Sequence, residues 1–270
     1  MLEFFFQVIN TYDTDNNKAV DLVYLDFQKA FNKVPHERVM VEVNAQGIQL
    51  VMQQDGSGTY RIQRVCINQS YSNWAPVTSG VPQGSVSGPL LFLIYINDRD
   101  TNNVSKISKF SDDIKLCYGA RNPDDIMELQ EDISTLVEWA NRWQMNFNVD
   151  KFSMMHIGHN NMQGNYNMSN QQLQATDQQQ DLGIIITKDL KWQKQTEKSC
   201  KTSRRVLGLI ARNSRYKNKE LILPLYESLI RPHLEHAVQF WSPRLRRDID
   251  KIEKIQKRTT KIIQGIRNHS

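Results

Sequence analysis

The stretch Phe110-Ser111-Asp112-Asp113 (residues 110–113) places two adjacent acids between apolar flanks. Ile107 precedes them and Ile114 follows, a pattern typical of a β-hairpin whose turn holds the acids. A third acid, Asp26, lies near the end of the strand-like run at residues 20–27. Because Mg²⁺ prefers carboxylate oxygens, convergence of these two segments predicts a divalent metal site. For the acid pair alone, a solvated turn is the simpler interpretation.

A loop rich in Gly and Pro spans residues 78–89, and an apolar stretch at residues 90–98 follows it. Gly and Pro at this density predict a rigid turn whose backbone can approach a ligand closely. One interpretation is a tight loop before a core helix. The other is a loop that lays Gln83 and Gly84 against a bound nucleotide or template base. The order of acid, Gly- and Pro-rich loop and acid pair favours the second interpretation.

With these motifs in this order, the sequence resembles the reverse transcriptases of non-long-terminal-repeat, LINE-type retrotransposons. The resemblance covers almost the whole chain. The matching segments are residues 24–31, 79–89 and 110–113 for the first three palm motifs, 136–148 and 151–158 for the fourth, 181–186 for the following hairpin, and 231–241 for a thumb-side segment.

The resemblance implies an α+β fold of two domains. Residues 1–187 would form a polymerase-type palm, with a mixed or antiparallel sheet packed on helices. Residues 188–270 would form an all-helical, thumb-like region. The first residues look like the helix directly before the first palm motif, so the fingers region is expected to be missing. We therefore expect weak or no polymerase activity from this polypeptide alone, because triphosphate-gripping cations supply part of the electrostatic stabilisation.

The resemblance also implies a ligand set. Asp26, Asp112 and Asp113 would coordinate two Mg²⁺ ions, with the carbonyl of Phe27 as a further oxygen ligand. Those ions would activate the primer 3′-hydroxyl and stabilise the pyrophosphate leaving group.

Four further residues receive roles from the resemblance. Phe31 would be an aromatic plate beneath the incoming sugar, since a flat ring tolerates a 2′-hydrogen and collides with a 2′-hydroxyl. Gln83 and Gly84 would position the incoming nucleotide and the template. Lys151 would donate a proton to pyrophosphate. An ordinary core aromatic at Phe31 and a plain surface lysine at Lys151 are the alternatives.

Charge is unevenly distributed along the chain. Residues 188–270 carry 21 Lys and Arg against 8 Asp and Glu, whereas residues 1–187 carry 13 against 21. Apolar residues near 3.6 spacing predict basic amphipathic helices at residues 192–212 and 248–266. A solvated face explains one such helix, but the whole region favours a surface that follows a nucleic-acid backbone. The predicted backbone contacts are Lys198, Lys201, Arg204, Arg205, Lys254, Lys257, Arg258 and Lys261.

Composition limits the remaining classes of protein. The three cysteines are widely spaced and form no C-x-x-C pair, which argues against a disulfide framework and a zinc ribbon. No signal peptide or membrane anchor is evident, so we expect an intracellular protein, nuclear or cytoplasmic, without a membrane partner. The oligomeric state stays open.

Two functions from different classes compete. One is a fragment of an RNA-directed DNA polymerase whose partners are an RNA template, a DNA primer and deoxynucleoside triphosphates. The other is a catalytically dead remnant that binds RNA or DNA through its basic helices. A metal-dependent phosphatase or nuclease is a third possibility, but it leaves the Gly- and Pro-rich loop and Phe31 without a role.

Local patterns predict most elements of the fold. The predicted strands are 20–27, 60–68, 106–110, 114–118, 154–157 and 182–187. The predicted helices before residue 188 are 35–44, 85–98 and 123–143, and the segment after Lys188 is expected to be helical throughout. Residues 159–180, rich in Asn and Gln, are expected to form an exposed, mobile loop.

Overall fold

The computed structural model describes residues 19–47, 62–82, 84–97 and 104–263. Contacts within the chain divide it into two compact units, and the division falls after Thr176. In the part of the chain that is described, none of the helices combines the length and apolar character needed to cross a membrane.

The first unit is built around a five-stranded sheet. Its elements are β1 (Val20–Asp26), α1 (Ala30–Lys33), α2 (His36–Ala45), β2 (Ile62–Gln63), β3 (Cys66–Ile67), β4 (Ser70–Tyr71), β5 (Ala75–Pro76), α3 (Ser87–Tyr95), β6 (Lys106–Phe110), β7 (Asp113–Gly119), α4 (Pro123–Arg142), a 3₁₀ turn (Val149–Lys151), β8 (Ser153–Ile157), β9 (Asn167–Met168), β10 (Gln171–Gln172) and β11 (Gln174–Ala175).

Strand β1 lies at the centre of this sheet, whose order is β11-β8-β1-β7-β6. It pairs antiparallel with β7 and β8, while β11 pairs parallel with β8, so the sheet is mixed as predicted. All seven residues of β1 are buried. A strand covered on both faces needs an almost continuous apolar run, which the sequence supplies.

Helix α4 packs its apolar side onto the same core. Leu129, Ile133 and Leu136 are fully buried with residues of β1 and β7. The helix begins where the sequence predicts, because the Asn122 side chain accepts a hydrogen bond from the Asp125 backbone N–H at 2.7 Å. Pro in the first turn needs no intrahelical donor.

The prediction of an exposed loop at residues 159–180 is wrong for part of the segment. Tyr166, Met168 and Leu173 are buried in the first unit's core, and the Leu173 N–H donates to the Tyr166 carbonyl at 2.9 Å. Three short strands, β9 to β11, lie in this segment. A few apolar side chains separated by Asn and Gln are enough to order it, because each finds a place in the core.

The predicted strand at residues 60–68 is also incorrect in form. Residues 60 and 61 lie outside the described part, and the rest forms β2 and β3, each two residues long and exposed. β2 pairs with β5 and β3 with β4, so the segment is one side of an interrupted hairpin.

The second unit combines a hairpin with helices. Its elements are β12 (Gln178–Asp181), β13 (Ile184–Thr187), α5 (Gln193–Asn213), α6 (Lys219–Leu225), a π-helical turn (Tyr226–Ile230), α7 (Arg231–Glu235), α8 (Val238–Trp241) and α9 (Arg246–Ile262). Leu207, Ile230 and Ile255 are among the residues that form its apolar core. Helix is thus the main structure after Lys188, as predicted.

Candidate active site

Asp26 lies directly opposite Asp113, at the point where β1 ends and β7 begins. Directly opposed residues of an antiparallel pair project to the same face of the sheet. The Asp26 carbonyl accepts a hydrogen bond from the Asn148 N–H at 2.8 Å, so the backbone of Asp26 faces away from β7. The two acids therefore form a non-hydrogen-bonded pair, the type in which side chains lie closest, with Cβ atoms about 4.5–5.5 Å apart.

Asp112 lies in the turn next to this pair. The β6–β7 hairpin closes at the Phe110–Asp113 pair, which leaves Ser111 and Asp112 as a two-residue turn. Ser111 has a φ of +57°, in the left-handed region that tight hairpin turns require. The predicted hairpin is confirmed, and it brings Asp112 to the same end of the sheet as Asp26 and Asp113.

Lys151 is the cation at this acidic end of the sheet. Its ammonium donates a hydrogen bond to the Asp26 carboxylate. That hydrogen bond is the largest cause of a raised pKa of Lys151, and the charges of Asp26, Asp112 and Asp113 raise the pKa further. One ammonium therefore interacts with all three acids. The Lys151 side chain is 64% exposed and that of Asp26 is 10% exposed, so the pair is open to solvent on the lysine side.

The backbone of Phe27 continues the edge of the sheet beyond Asp26. Its ring is buried and stacks on Phe147, with centroids 4.6 Å apart. Phe27 and Phe147 form an antiparallel bridge, flanked by a 2.7 Å hydrogen bond from the Gln28 N–H to the Asn146 carbonyl. Because peptide groups alternate along a strand, the carbonyl of Phe27 is directed to the β7 side, where the acids lie.

A divalent metal fits this end of the sheet in part. Asp26 and Asp113 are oxygen donors on one face, and the Lys151 ammonium already occupies a cation position on Asp26. Among residues 19–47, 62–82, 84–97 and 104–263, however, no three Asp, Glu, His or Cys side chains group closely enough to form a complete site. The Lys151 ammonium contacts one of the two carboxylate oxygens of Asp26 and would compete with a metal for it.

The Gly- and Pro-rich loop is fastened against α1. The Val81 N–H donates to the Phe31 carbonyl at 2.8 Å, and the Gly80 N–H donates to the Val34 carbonyl at 2.8 Å. Gly80 has a φ of +92°, and a Cβ on it would lie 2.9 Å from the Phe31 carbonyl oxygen. Only glycine allows this approach. The contact brings the loop to the segment that follows the first acid.

Phe31 and Gly84 are the described residues with predicted nucleotide roles beside this loop. Phe31 is half-buried and stacks on Phe92 of α3, with centroids 4.7 Å apart. Gly84 is exposed at a φ of +77°, with open space where a Cβ would be. Gln83 lies outside the described residues.

In the second unit, α5 and α9 run parallel. Arg247 donates to the Gln193 side chain at 2.6 Å and Lys251 to Glu197 at 3.1 Å, both across a separation of 54 residues. A constant separation requires the same chain direction in both helices. Seven of the eight predicted backbone contacts are exposed: Lys201, Arg204, Arg205, Lys254, Lys257, Arg258 and Lys261. Lys198 is half-buried, and its ammonium donates to the Gly183 carbonyl at 2.8 Å.

Sequence reasoning missed Lys115. It is 2% exposed and opposite Tyr24, two residue pairs further into the sheet than Asp26 and Asp113. Alternation along β7 places its side chain on the same face as Asp113. The available signal in the sequence was the spacing of two residues between Lys115 and Asp113. Lys115 adds a buried lysine side chain to the acidic face.

Comparison with known proteins identifies the class. The sequence matches the family model described as reverse transcriptase (RNA-dependent DNA polymerase) over residues 6–211. The chain belongs to the reverse transcriptase family, and the predicted LINE-type resemblance is confirmed by its relatives.

Two of those relatives come from Drosophila melanogaster mobile elements. The probable RNA-directed DNA polymerase from transposon X-element is 24% identical, over 96% of this chain and 30% of the relative. The RNA-directed DNA polymerase from mobile element jockey is 22% identical, over 93% of this chain and 29% of the relative. This chain therefore spans less than a third of the length of these relatives.

A solved structure supports the same fold. Telomerase from Candida tropicalis, in complex with a fragment of telomeric RNA, aligns with 97% of this chain and 41% of its own, with a TM-score of 0.51. At 11% sequence identity the likeness shows the fold alone. The α+β prediction, with a polymerase-like arrangement of helices and sheet, is confirmed at that level.

Proposed function

We propose that this chain is part of an RNA-directed DNA polymerase that adds deoxynucleotides to a primer 3′-hydroxyl on an RNA template. The observation that carries the proposal is the opposed pair Asp26–Asp113, with Asp112 in the adjoining turn. Like charges directly opposite each other destabilise a sheet, so this arrangement needs a reason. Binding of a cation supplies one.

Two Mg²⁺ ions are the cofactors of this proposal. Asp26, Asp112 and Asp113 would hold them, together with the carbonyl of Phe27. Bound there, the ions would activate the 3′-hydroxyl and stabilise the developing charge on the leaving pyrophosphate. The carboxylates themselves offset the charge of the ions and orient the site, since β1 and β7 are held in register by the rest of the sheet.

Lys151 would exchange partners during the reaction. In this structure its ammonium donates a hydrogen bond to Asp26. Once Asp26 binds a cation, the Nζ of Lys151 can turn to the pyrophosphate and donate a proton to it, because the side chain is largely exposed. The alternative is that Lys151 is an exposed lysine that only neutralises Asp26. Removal of Lys151 would slow the reaction if it donates the proton, but not if it only neutralises Asp26.

Phe31 and the Gly- and Pro-rich loop would select and position the nucleotide. The Phe31 ring is held from one side by Phe92 and is only half-buried, which leaves part of it available to a sugar. Gly84, with open space around its Cα, would let a template base or nucleotide approach the backbone. Gln83 would act beside it.

Primer extension tests the proposal. Mg²⁺-dependent extension of a DNA primer annealed to RNA is compared between the wild type and the variants Asp112→Asn and Asp113→Asn. We expect each variant to lose at least about a hundredfold in rate, as for other lost electrostatic groups. Asp124→Asn, the same change at an exposed helix position, is the matched control. Measurable incorporation that is equal in all four proteins would overturn the polymerase proposal, and no incorporation in any of them would favour binding without catalysis.

Nucleic-acid binding without catalysis is the second candidate. The seven exposed Lys and Arg side chains on α5 and α9 favour it, and it assigns the helical unit a thumb-like role. It predicts salt-dependent binding that survives in proteins with no extension activity. A phosphatase or nuclease is less well supported, because the loop and Phe31 would have no role.

A further inference from the structure

Residues 62–76 form an exposed hairpin, called here the bulged arm. Ile62 pairs with Pro76 in its outer ladder, and Cys66 pairs with Tyr71 in its inner ladder. Between the two ladders, two residues on the first strand face three on the second. The arm therefore contains a β-bulge at residues 72–74, and such bulges redirect side chains. The Val65 N–H donates to the Ser72 hydroxyl at 2.9 Å and fixes the bulge.

The bulge brings two aromatic rings to one arginine. Tyr71 and Trp74 are three positions apart, so regular alternation would place them on opposite faces. The additional residue in the bulge brings the two rings to the same face. The guanidinium of Arg64 lies 3.9 Å from the centroid of the Tyr71 ring and 4.5 Å from that of Trp74. Both rings are more than half exposed, at 58% and 56%.

The charge of the bulged arm is of one sign. Arg64 is its single charged residue, and residues 62–76 contain no Asp or Glu. By contrast, residues 1–187 as a whole carry an excess of acids. Val65 and Ile67 add exposed apolar surface, at 61% and 68%. Unpaired bases stack on exposed aromatic rings and on arginine planes. The absence of acids avoids repulsion of the phosphates beside those bases.

We propose that the bulged arm binds single-stranded RNA, by stacking unpaired bases on Tyr71 and Trp74 while Arg64 attracts the adjoining phosphate. The occupant would be template RNA before it pairs with the growing strand, so the inference rests on the proposed function. A protein strand added to the edge fits less well, because each ladder is only two residues long and offers few backbone groups to a partner.

Binding of a single-stranded oligoribonucleotide that carries 2-aminopurine tests this inference. The full chain is used in EDTA, so that catalysis does not contribute. Fluorescence anisotropy gives the affinity, and quenching of 2-aminopurine reports stacking. Tyr71→Leu and Trp74→Leu each remove a ring from an exposed position and leave no cavity. We expect each to weaken binding by about fivefold to a hundredfold and to reduce the quenching.

Matched variants separate stacking from folding and from charge. Tyr71→Phe and Trp74→Phe keep a ring and should retain most of the affinity and the quenching. The salt dependence of binding should be unchanged in the leucine variants, because they remove no cation. If both leucine variants bind RNA as tightly as the wild type, the inference is overturned, and a protein partner becomes the better occupant. Since the assay contains no Mg²⁺, failure of primer extension alone would not produce that result.

Discussion

Asp26 and Asp113 oppose each other on neighbouring antiparallel strands, and the Lys151 ammonium donates a hydrogen bond to Asp26. The register of the strands places the two carboxylates on one face of the sheet. The acidic end of the sheet is therefore assembled by backbone pairing, and repulsion between the acids is part of the cost of the fold.

Removing one of these charges should stabilise the protein. We expect Asp113→Asn to raise the free energy of unfolding by about 0.2–1 kcal/mol, because relief of the repulsion by Asp26 outweighs loss of the weaker attraction between Asp113 and Lys151. Urea unfolding at low and at high salt measures it, and the gain should shrink at high salt as screening weakens the repulsion. A loss of stability would show that Asp113 makes a favourable interaction that outweighs its repulsion of Asp26. Primer extension by the same variant should fall.

Lys151→Met should separate metal binding from catalysis. The variant removes the ammonium that competes for Asp26, so the Mg²⁺ dissociation constant should decrease by about 1.5-fold to fivefold, the worth of an exposed ion pair. Primer extension should nevertheless become slower if Lys151 acts as a proton donor. Isothermal titration calorimetry gives the Mg²⁺ dissociation constant. The control is Lys188→Met, which breaks the exposed ion pair with Asp177. It should change neither the Mg²⁺ dissociation constant nor the rate of primer extension.

Gly80→Ala tests the close approach of the loop to α1. Gly80 and Gly84 both have positive φ, but only at Gly80 would a Cβ meet backbone atoms, at 2.9–3.0 Å. Gly84→Ala should cost about 1 kcal/mol for its backbone conformation, and Gly80→Ala about 1–3 kcal/mol more. Urea unfolding of both variants gives the difference. Equal losses would mean that the loop moves away from Phe31 without cost.

Tyr166→Phe should change how stability depends on pH. Asp21 is fully buried and accepts a hydrogen bond from the Tyr166 hydroxyl at 2.6 Å. Burial, followed by the charge of Asp21, raises the pKa of Tyr166 well above its usual value of 10.0. The folded protein therefore keeps this proton at pH values where the unfolded chain loses it. Its contribution is complete below pH 10 and is lost above it, by about 1.4 kcal/mol per pH unit.

Urea unfolding between pH 8 and about pH 11 measures this effect. The fall in stability above pH 10 should be less steep in Tyr166→Phe, although the variant is less stable at neutral pH because it leaves Asp21 with one hydrogen bond fewer. Tyr71→Phe, at an exposed tyrosine of the same unit, should follow the wild-type slope. Parallel curves for wild type and Tyr166→Phe would contradict the prediction.

Salt dependence tests the basic helices. Arg204 and Arg258 are exposed and 54 residues apart, so they lie at the same level on the parallel helices α5 and α9. Replacing either with Gln should make the slope of log affinity against log salt less steep by about 0.7–0.9, one phosphate contact each. Lys198→Gln should have a smaller effect, because Lys198 already donates to Gly183. If the slopes of all variants equal that of the wild type, these helices do not contact the nucleic-acid backbone.

Much of the fold was predictable because local patterns determine it. The apolar run of β1, the hairpin around Asp112 and Asp113, and the start of α4 at Pro123 each depend on neighbours within a few residues. The strand patterns and the family resemblance predicted that Asp26 and Asp113 converge, but not that they lie directly opposite each other, since strand register is a tertiary property. Their separation along the chain carries no signal of register.

Other features depend on contacts that the sequence does not display. Lys151 reaches Asp26 across 125 residues, and a surface lysine was an equally good interpretation of its pattern. Tyr166 is buried in the core and donates to Asp21, 145 positions earlier in the chain, a contact that the Asn- and Gln-rich composition of its segment does not indicate. The bulge beside Trp74 is a shift of one residue in pairing on the second strand of the hairpin, where no strand was predicted.

Because the turn at Ser111 and Asp112 is short, the site depends on whether an odd or an even number of residues is inserted into the strand or deleted from it. Side chains on a strand alternate, so inserting or deleting a single residue within β7 would carry Asp113 to the opposite face from Asp26. A change of two residues would preserve the facing. A protein that gains or loses one residue in the strand should therefore lose the shared carboxylate face, whereas one that gains or loses two residues should keep it.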